Sequence, residues 1–231
     1  MKKIVLFANA VLFLLLSQAT FAAENTGFYI GVSGGYVIPQ TMTLYDPDSG
    51  SEIMDTTLKN GYLGGVKAGW NTPFTNRILA VELEYNYIFG TDFDNNKIYD
   101  NIPDISVPVY IDGTIKIQDI LLNFKARYPE GRFHPYVGFG VGYAYFQVGD
   151  ATVTLADGSM SAVVGTSASG GAFCYQFLAG LDFDITPNFG VGIGYKYLAS
   201  KPTIGSTGTG EFYQDIDYKT SVVTLGLNYT F

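Results

Sequence analysis

Apolar and small or polar residues alternate with a period of two along most of this chain, and the pattern holds to its last residue. In 221–231, Val223, Leu225, Leu227, Tyr229 and Phe231 fall on one side, and Thr224, Gly226, Asn228 and Thr230 on the other. Side chains of a strand point alternately to opposite faces, so this segment has one greasy face and one small, polar face. Seven more segments read the same way: 28–38, 62–70, 81–87, 119–128, 133–145, 173–183 and 191–197. An open sheet built from such strands would expose aggregation-prone edges, whereas a last strand that closes on the first leaves none. The expected fold is all-β, an eight-stranded antiparallel barrel in which 223–231 pairs with 27–38.

The connections alternate as well. Short turns marked by Pro, Gly or Asn occupy 71–77, 129–132 and 184–189, and long polar stretches occupy 39–60, 90–114, 149–171 and 199–219. An even strand count, short turns at one end and long loops at the other is the pattern of a transmembrane β-barrel, with the turns periplasmic and the loops extracellular. Two loops carry Asp-Gly steps, Asp112-Gly113 and Asp157-Gly158, of the kind that favours a tight hairpin. They predict strand extensions above the membrane, and a ten-stranded barrel is the competing topology.

The bulky face is predicted to meet lipid. It is nearly uncharged, whereas the Gly-rich face carries almost all the strand charges. Lys or Arg facing the bilayer midplane would cost about 2–4 kcal/mol each. Phe28, Trp70, Tyr128, Phe133, Phe183 and Phe231 cluster near the short turns, and Tyr36, Tyr62, Tyr87, Tyr143, Tyr175 and Tyr197 near the loops. Two such girdles suit the two interfaces of a bilayer, where a ring with an apolar body and a polar tip is favoured. They argue against a soluble barrel of the lipocalin kind.

The opening residues give the address. Lys2 and Lys3 precede an apolar run from Ile4 to Leu16, followed by a short polar stretch and Phe21-Ala22-Ala23. This order predicts a secretory signal peptide over 1–22, cleaved after Ala22, and a barrel domain over 23–231. The net charge is -8, with 13 basic and 21 acidic residues. Removing Lys2 and Lys3 makes the exported chain more acidic still, which excludes nucleic acid as a partner. Cys174 is the only cysteine, so no internal disulfide is expected.

The chain resembles the small outer-membrane β-barrels of Gram-negative bacteria: the OmpA membrane domain, OmpX, and the opacity-protein and surface-antigen group, all within the porin-like barrels. Gly27-Phe-Tyr-Ile-Gly-Val-Ser-Gly-Gly-Tyr36, Pro135-Tyr-Val-Gly-Phe-Gly-Val-Gly-Tyr-Ala144, Asp184-Ile-Thr-Pro-Asn188 and the terminal segment carry the resemblance. It implies location in the cell outer membrane, contact with lipid and lipopolysaccharide, and an assembly signal for the barrel-assembly machinery at Val223, Leu225, Leu227, Tyr229 and Phe231. Unlike full-length OmpA proteins, the chain is expected to carry no peptidoglycan-binding domain after Phe231.

Chemistry has few places to sit. The inward face carries Lys67, Lys125, Arg127 and Lys196 against Glu82, Glu84, Asp119 and Asp182. In a narrow lumen these eight groups are expected to neutralise one another as a structural plug, because unpaired buried charge is costly. His134, the only histidine, falls beside a short turn with no serine nearby, and is expected to bond structurally. Cys174 is expected to be a small buried filler. Gly190, Gly192 and Gly194 have strand period and do not form a nucleotide loop. The loops are acidic, and Asp46-Pro-Asp48-Ser-Gly50 begins like a calcium loop but lacks the closing Glu. No cofactor, metal or catalytic group is expected. The sequence predicts a non-enzymatic surface barrel that supports membrane integrity and uses its loops for adhesion or for recognising a host or matrix ligand. The alternative is a narrow OmpW-like channel for small or hydrophobic solutes.

Overall fold

The computed structural model describes residues 27–40, 42–45, 50, 52–56, 58–92, 96–99, 109–149, 151–155, 161–164, 168–206 and 212–231. The expected signal peptide, 1–22, lies outside the described residues, as do Asp46, Asp48 and the Asp157-Gly158 step.

In chain order the strands are β1 (Phe28–Pro39), β2 (Met42–Tyr45), β3 (Glu52–Thr56), β4 (Gly61–Asn71), β5 (Leu79–Phe89), β6 (Asn96–Tyr99), β7 (Val109–Asp112) and β8 (Ile115–Arg127). They continue with β9 (Phe133–Val148), β10 (Ala151–Leu155), β11 (Ser161–Val164), β12 (Ala168–Asp184), β13 (Phe189–Ser200), β14 (Thr203–Ser206) and β15 (Phe212–Thr230). Eight of these form a ring in the order β1-β4-β5-β8-β9-β12-β13-β15, and β15 pairs back onto β1. The closing register runs from Tyr29 opposite Thr230 to Pro39 opposite Thr220. Every neighbouring pair in the ring is antiparallel. The ring has eight strands and not ten, because the extra segments pair outside it.

Short turns join β4 to β5, β8 to β9 and β12 to β13, so all three lie at one end. The first contains a single 3-10 turn, Pro73–Thr75. Asn76 and Arg77 follow it with φ of 53° and 63°. Asn tolerates that left-handed conformation, whereas it is uncommon for a residue such as Arg77. Here the Arg77 N–H donates to the Thr72 carbonyl at 3.0 Å, and Thr72 Oγ1 donates to the Leu79 carbonyl at 2.8 Å.

The loop end departs from expectation at Asp112-Gly113. The step is not a hairpin. β7 pairs with β6 and β10, whereas β8 pairs with β5 and β9. The chain turns a corner here, leaving a separate sheet in the order β11-β10-β7-β6 and entering the barrel wall. The segment before the step finds partners in the next loop, and Ile117 faces the lumen opposite Ile88 and Phe146. β10 and β11 pair as the second Asp-Gly step implied, but within that separate sheet. β15 is the longest strand at 19 residues, and its first half carries β2 on one side and β14 on the other. A tilted strand crosses a membrane in about 9–11 residues, so the first half of β15 stands clear of the bilayer.

Burial is inverted relative to a soluble protein. Leu225 is 67% exposed, Val137 62% and Phe177 58%, while Glu84 is 1% and Asp119 2% exposed. Exposed apolar side chains circle the ring, and such a continuous surface is compatible with lipid rather than water. Phe28 stacks on Trp70 with ring centroids 5.7 Å apart, and Tyr36 meets Tyr62 edge-on at 5.9 Å, at opposite ends of the wall.

We predict that Leu225→Arg, midway along the lipid-facing side of β15, destabilises the folded barrel by about 2–4 kcal/mol, whereas Ile38→Arg near the loop-side rim costs about 0–1 kcal/mol. Denaturant unfolding in lipid measures both. Equal costs would contradict the assignment of the outer face.

Candidate functional site

The interior is layered. Towards the long loops, Val37, Leu63, Ile88, Ile117, Leu121, Phe146, Leu198, Tyr218 and Val222 pack together with Cys174 into a buried apolar core. Phe146 and Tyr218 meet edge-on at 5.3 Å. Inward parity alone implies a uniformly small and polar lumen, and the loop-side half is neither. In this half the strands place apolar residues on both faces, and the inward set fills the ring. Cys174 is fully buried here.

Towards the short turns the lumen becomes ionic. Glu82 and Glu84, two residues apart on β5, both point inward. Lys125 on β8, opposite Ala80 of β5, donates from Nζ to Glu82 Oε2 at 2.6 Å. Lys67 on β4 lies 3.6 Å from the same oxygen, and Tyr29 donates its hydroxyl hydrogen to it at 2.7 Å. The Lys125 ammonium also lies 5.2 Å from the ring centres of Tyr29 and Tyr136. Glu84 pairs with Lys196 across the lumen. Asn123 Nδ2 donates to Glu84 at 2.9 Å and Gln176 Nε2 donates to it at 3.1 Å, while Gln176 also donates to the Asn123 carbonyl oxygen at 2.6 Å. Only a cavity of about 20 Å³ remains among these groups, room for about one water.

Of the eight charged residues singled out from the sequence, Lys67, Glu82, Glu84, Lys125 and Lys196 come together. Asp119 stands apart, one carboxylate oxygen accepting from Asn86 Nδ2 at 2.8 Å and the other without a partner among the described residues. Arg127 and Asp182 line the short-turn mouth and form no ion pair with any described residue. Tyr29, Asn123, Tyr136 and Gln176 complete the network, while Asn86 bonds the separate Asp119. Charge alone passes over them, although their strand parity places them inward. A buried carboxylate needs more acceptor contacts satisfied than one ammonium supplies, and that requirement is the signal for inward amides and phenols.

His134 is 3% exposed, with Nδ1 2.8 Å from the Tyr128 carbonyl and Nε2 2.9 Å from Asp184 Oδ2. No serine or other nucleophile is among these partners. The terminal segment lies in β15, with Val223, Leu225 and Leu227 facing outward and the Phe231 N–H donating to the Phe28 carbonyl at 2.9 Å. At the loop end, Asp217 accepts from Lys219 at 3.0 Å and lies 3.7 Å from Lys201, and its hydrogen bond and charge hold the Lys219 ammonium above its ordinary range. Asp215 accepts from Thr203 at 2.6 Å. Among the described residues no group of three or more His, Cys, Asp or Glu side chains could hold a metal ion.

The arrangement can do little chemistry inside the wall. It fixes one small polar network beneath an apolar stopper. Comparison with known proteins agrees with the architecture. A family model described as the outer membrane protein beta-barrel domain matches residues 8–231. No match is found among curated protein sequences. Among solved structures, the outer membrane protein OprG of Pseudomonas aeruginosa is similar at a TM-score of 0.56 and 14% identity, over 90% of this chain and 98% of that one. Neisserial surface protein A is similar at 0.51 and 15%, over 90% and 100% of the two chains. At such identities the likeness is one of fold.

We predict that Lys125→Met lowers stability by about 3–5 kcal/mol, since Glu82 is then left buried with a single, longer ammonium contact. Adding Glu82→Gln restores much of the loss. Denaturant unfolding of the lipid-embedded variants is the measurement, and additive losses in the double variant would contradict the pairing.

Proposed function

Because the chain belongs to the outer membrane protein β-barrel domain family and is therefore a protein of the outer membrane, we propose that it works as a closed, non-enzymatic surface barrel whose ligand contacts lie in its extracellular loops. The observation that carries this reading is the filled lumen. The Glu82–Lys125 and Glu84–Lys196 pairs block its short-turn half, and the apolar core around Ile117, Leu121 and Tyr218 blocks its loop half. Eight-stranded interiors have room only for side chains or one small ligand. What remains for recognition is the loop end, where β2, β3 and β14 extend the wall and β11-β10-β7-β6 form a separate sheet.

In this reading residues 1–22 are the cleaved export signal. The segment ending at Phe231 is read by the assembly machinery, the wall contacts lipid and lipopolysaccharide, and the loops meet a host or matrix surface. His134 is bonded to a backbone carbonyl and a carboxylate, which supports a structural role and not a catalytic one. A narrow conduit for hydrophobic solutes is the second reading, and the apolar lining of the loop-side lumen is the observation that favours it.

Two measurements separate these. The purified barrel in a planar bilayer is expected to show no stable large openings, and uptake of small or hydrophobic solutes by vesicles carrying it is expected to match empty vesicles. Reproducible openings or uptake would favour the conduit. Nanodisc-embedded barrel is expected to bind host cells or matrix in a manner lost when 91–114 and 150–167 are replaced by short turns. Binding unchanged by that replacement would overturn the loop assignment.

A further inference from the structure

On the outer side of the wall, at the loop-side ends of β12, β13 and β15, two lysines share one carboxylate. Lys219 on β15 donates from Nζ to Asp217 Oδ2 at 3.0 Å, and Lys201, just past β13, has its ammonium 3.7 Å from the same oxygen. The carboxylate stands behind its cations: the Asp217 side chain is 15% exposed, against 39% for Lys219 and 79% for Lys201. Lys219 is on the same face of β15 as Val223, Leu225 and Leu227, which meet lipid. The register sets Lys219 opposite Ala199 and Ala199 opposite Tyr175, with Tyr197 opposite Ser221 in the next outward row. Ala199 is on this outward side yet only 3% exposed, so the longer side chains around it close over the gap. Tyr175 and Tyr197, both of the loop-side girdle, lie near enough to act electrostatically on the Lys219 ammonium.

Depth decides what such a patch can meet. An ammonium group in hydrocarbon is costly, so a lysine among girdle tyrosines lays its stem on the apolar wall and keeps its charge at headgroup level. Among the described residues Asp217 is the only carboxylate within ion-pair distance of either lysine, and one carboxylate leaves one of the two positive charges uncompensated. Asp215, the next residue outward on that face, is about 7 Å further along the strand, and its carboxylate accepts from Thr203. A local excess of positive charge on the wall runs against a chain whose net charge is -8. Its complement at that depth is a lipid phosphate. We propose that Lys201 and Lys219, with the Tyr175 and Tyr197 hydroxyls beside them, hold a phosphate of an outer-leaflet lipopolysaccharide. This rests on the reading that places the long loops outside the cell, and it gives the lipid contact of that reading a defined place. Asp217 orients Lys219 before the lipid arrives, so less side-chain freedom is lost on binding.

The test is native mass spectrometry of the full barrel in detergent micelles, with diphosphoryl lipid A or the same lipid stripped of phosphate. The diphosphoryl form is expected to be retained about tenfold better. Lys201→Gln and Lys219→Gln are each expected to weaken its retention about fivefold, and the double variant more than tenfold, while the β-sheet circular dichroism is unchanged. Lys116→Gln removes an exposed lysine from β8, on the opposite side of the ring, and is expected to leave retention as it was. Retention indifferent to phosphate, an equal loss in Lys116→Gln, or displacement of lipid A by equimolar inorganic phosphate would each overturn the proposal. Micelles have no leaflets, so failure here counts against this site and not against the outward placement of the loops, which protease accessibility on intact cells reports separately.

Discussion

Hydrocarbon offers no partner to a free backbone N–H or C=O, so the pairing of β1 with β15 is the contact on which the rest of this molecule depends. Without it the sheet has two edges in lipid, each unsatisfied group costing several kcal/mol. With it, every strand has two neighbours, and the inward and outward faces are fixed by parity all round the ring. The placement of Glu82, Lys125 and Lys196 in the lumen and of Leu225 and Phe177 in lipid follows from that one closure.

Closure also creates the problem that the interior solves. A ring of eight strands encloses a space too narrow for bulk water and too wide to be left empty. Near the short turns it is filled by ions that satisfy one another with the help of amides and phenols: Glu82 takes two ammonium groups and a tyrosine hydroxyl, and Glu84 takes one ammonium and two amides. Near the loops it is filled by Ile, Leu, Phe and Tyr, as in a soluble core. Beyond the two filled halves lie the ends of the barrel: extended strands and an added sheet on one side, and on the other a mouth lined by Arg127 and Asp182.

Much of this was legible beforehand. The period-two pattern placed all eight wall strands, their order and the lipid-facing side, because in a barrel one residue of slip would send every side chain to the wrong solvent. The short turns were equally readable from Pro, Gly and Asn. The Asp112-Gly113 step was not, since an Asp-Gly pair reports only that the chain can turn there. Whether Val109–Asp112 folds back on β8 or joins β10 depends on a loop some forty residues away. The apolar stopper was hidden for a related reason: once Leu63, Leu121 and Val222 are apolar on the inward face as well, alternation no longer distinguishes lumen from lipid.

The sequence by itself determined that this chain is a closed, lipid-facing barrel with short turns at one end and long loops at the other, because period, charge and turn chemistry are local and repeat in every strand. Only the tertiary structure decided who meets whom across the lumen. Glu82 draws in Tyr29, Lys67 and Lys125, while Arg127 and Asp182 are left facing a cavity without each other. Those outcomes depend on distances between strands far apart in the chain, and strand parity says which way a residue points but not what it will find there.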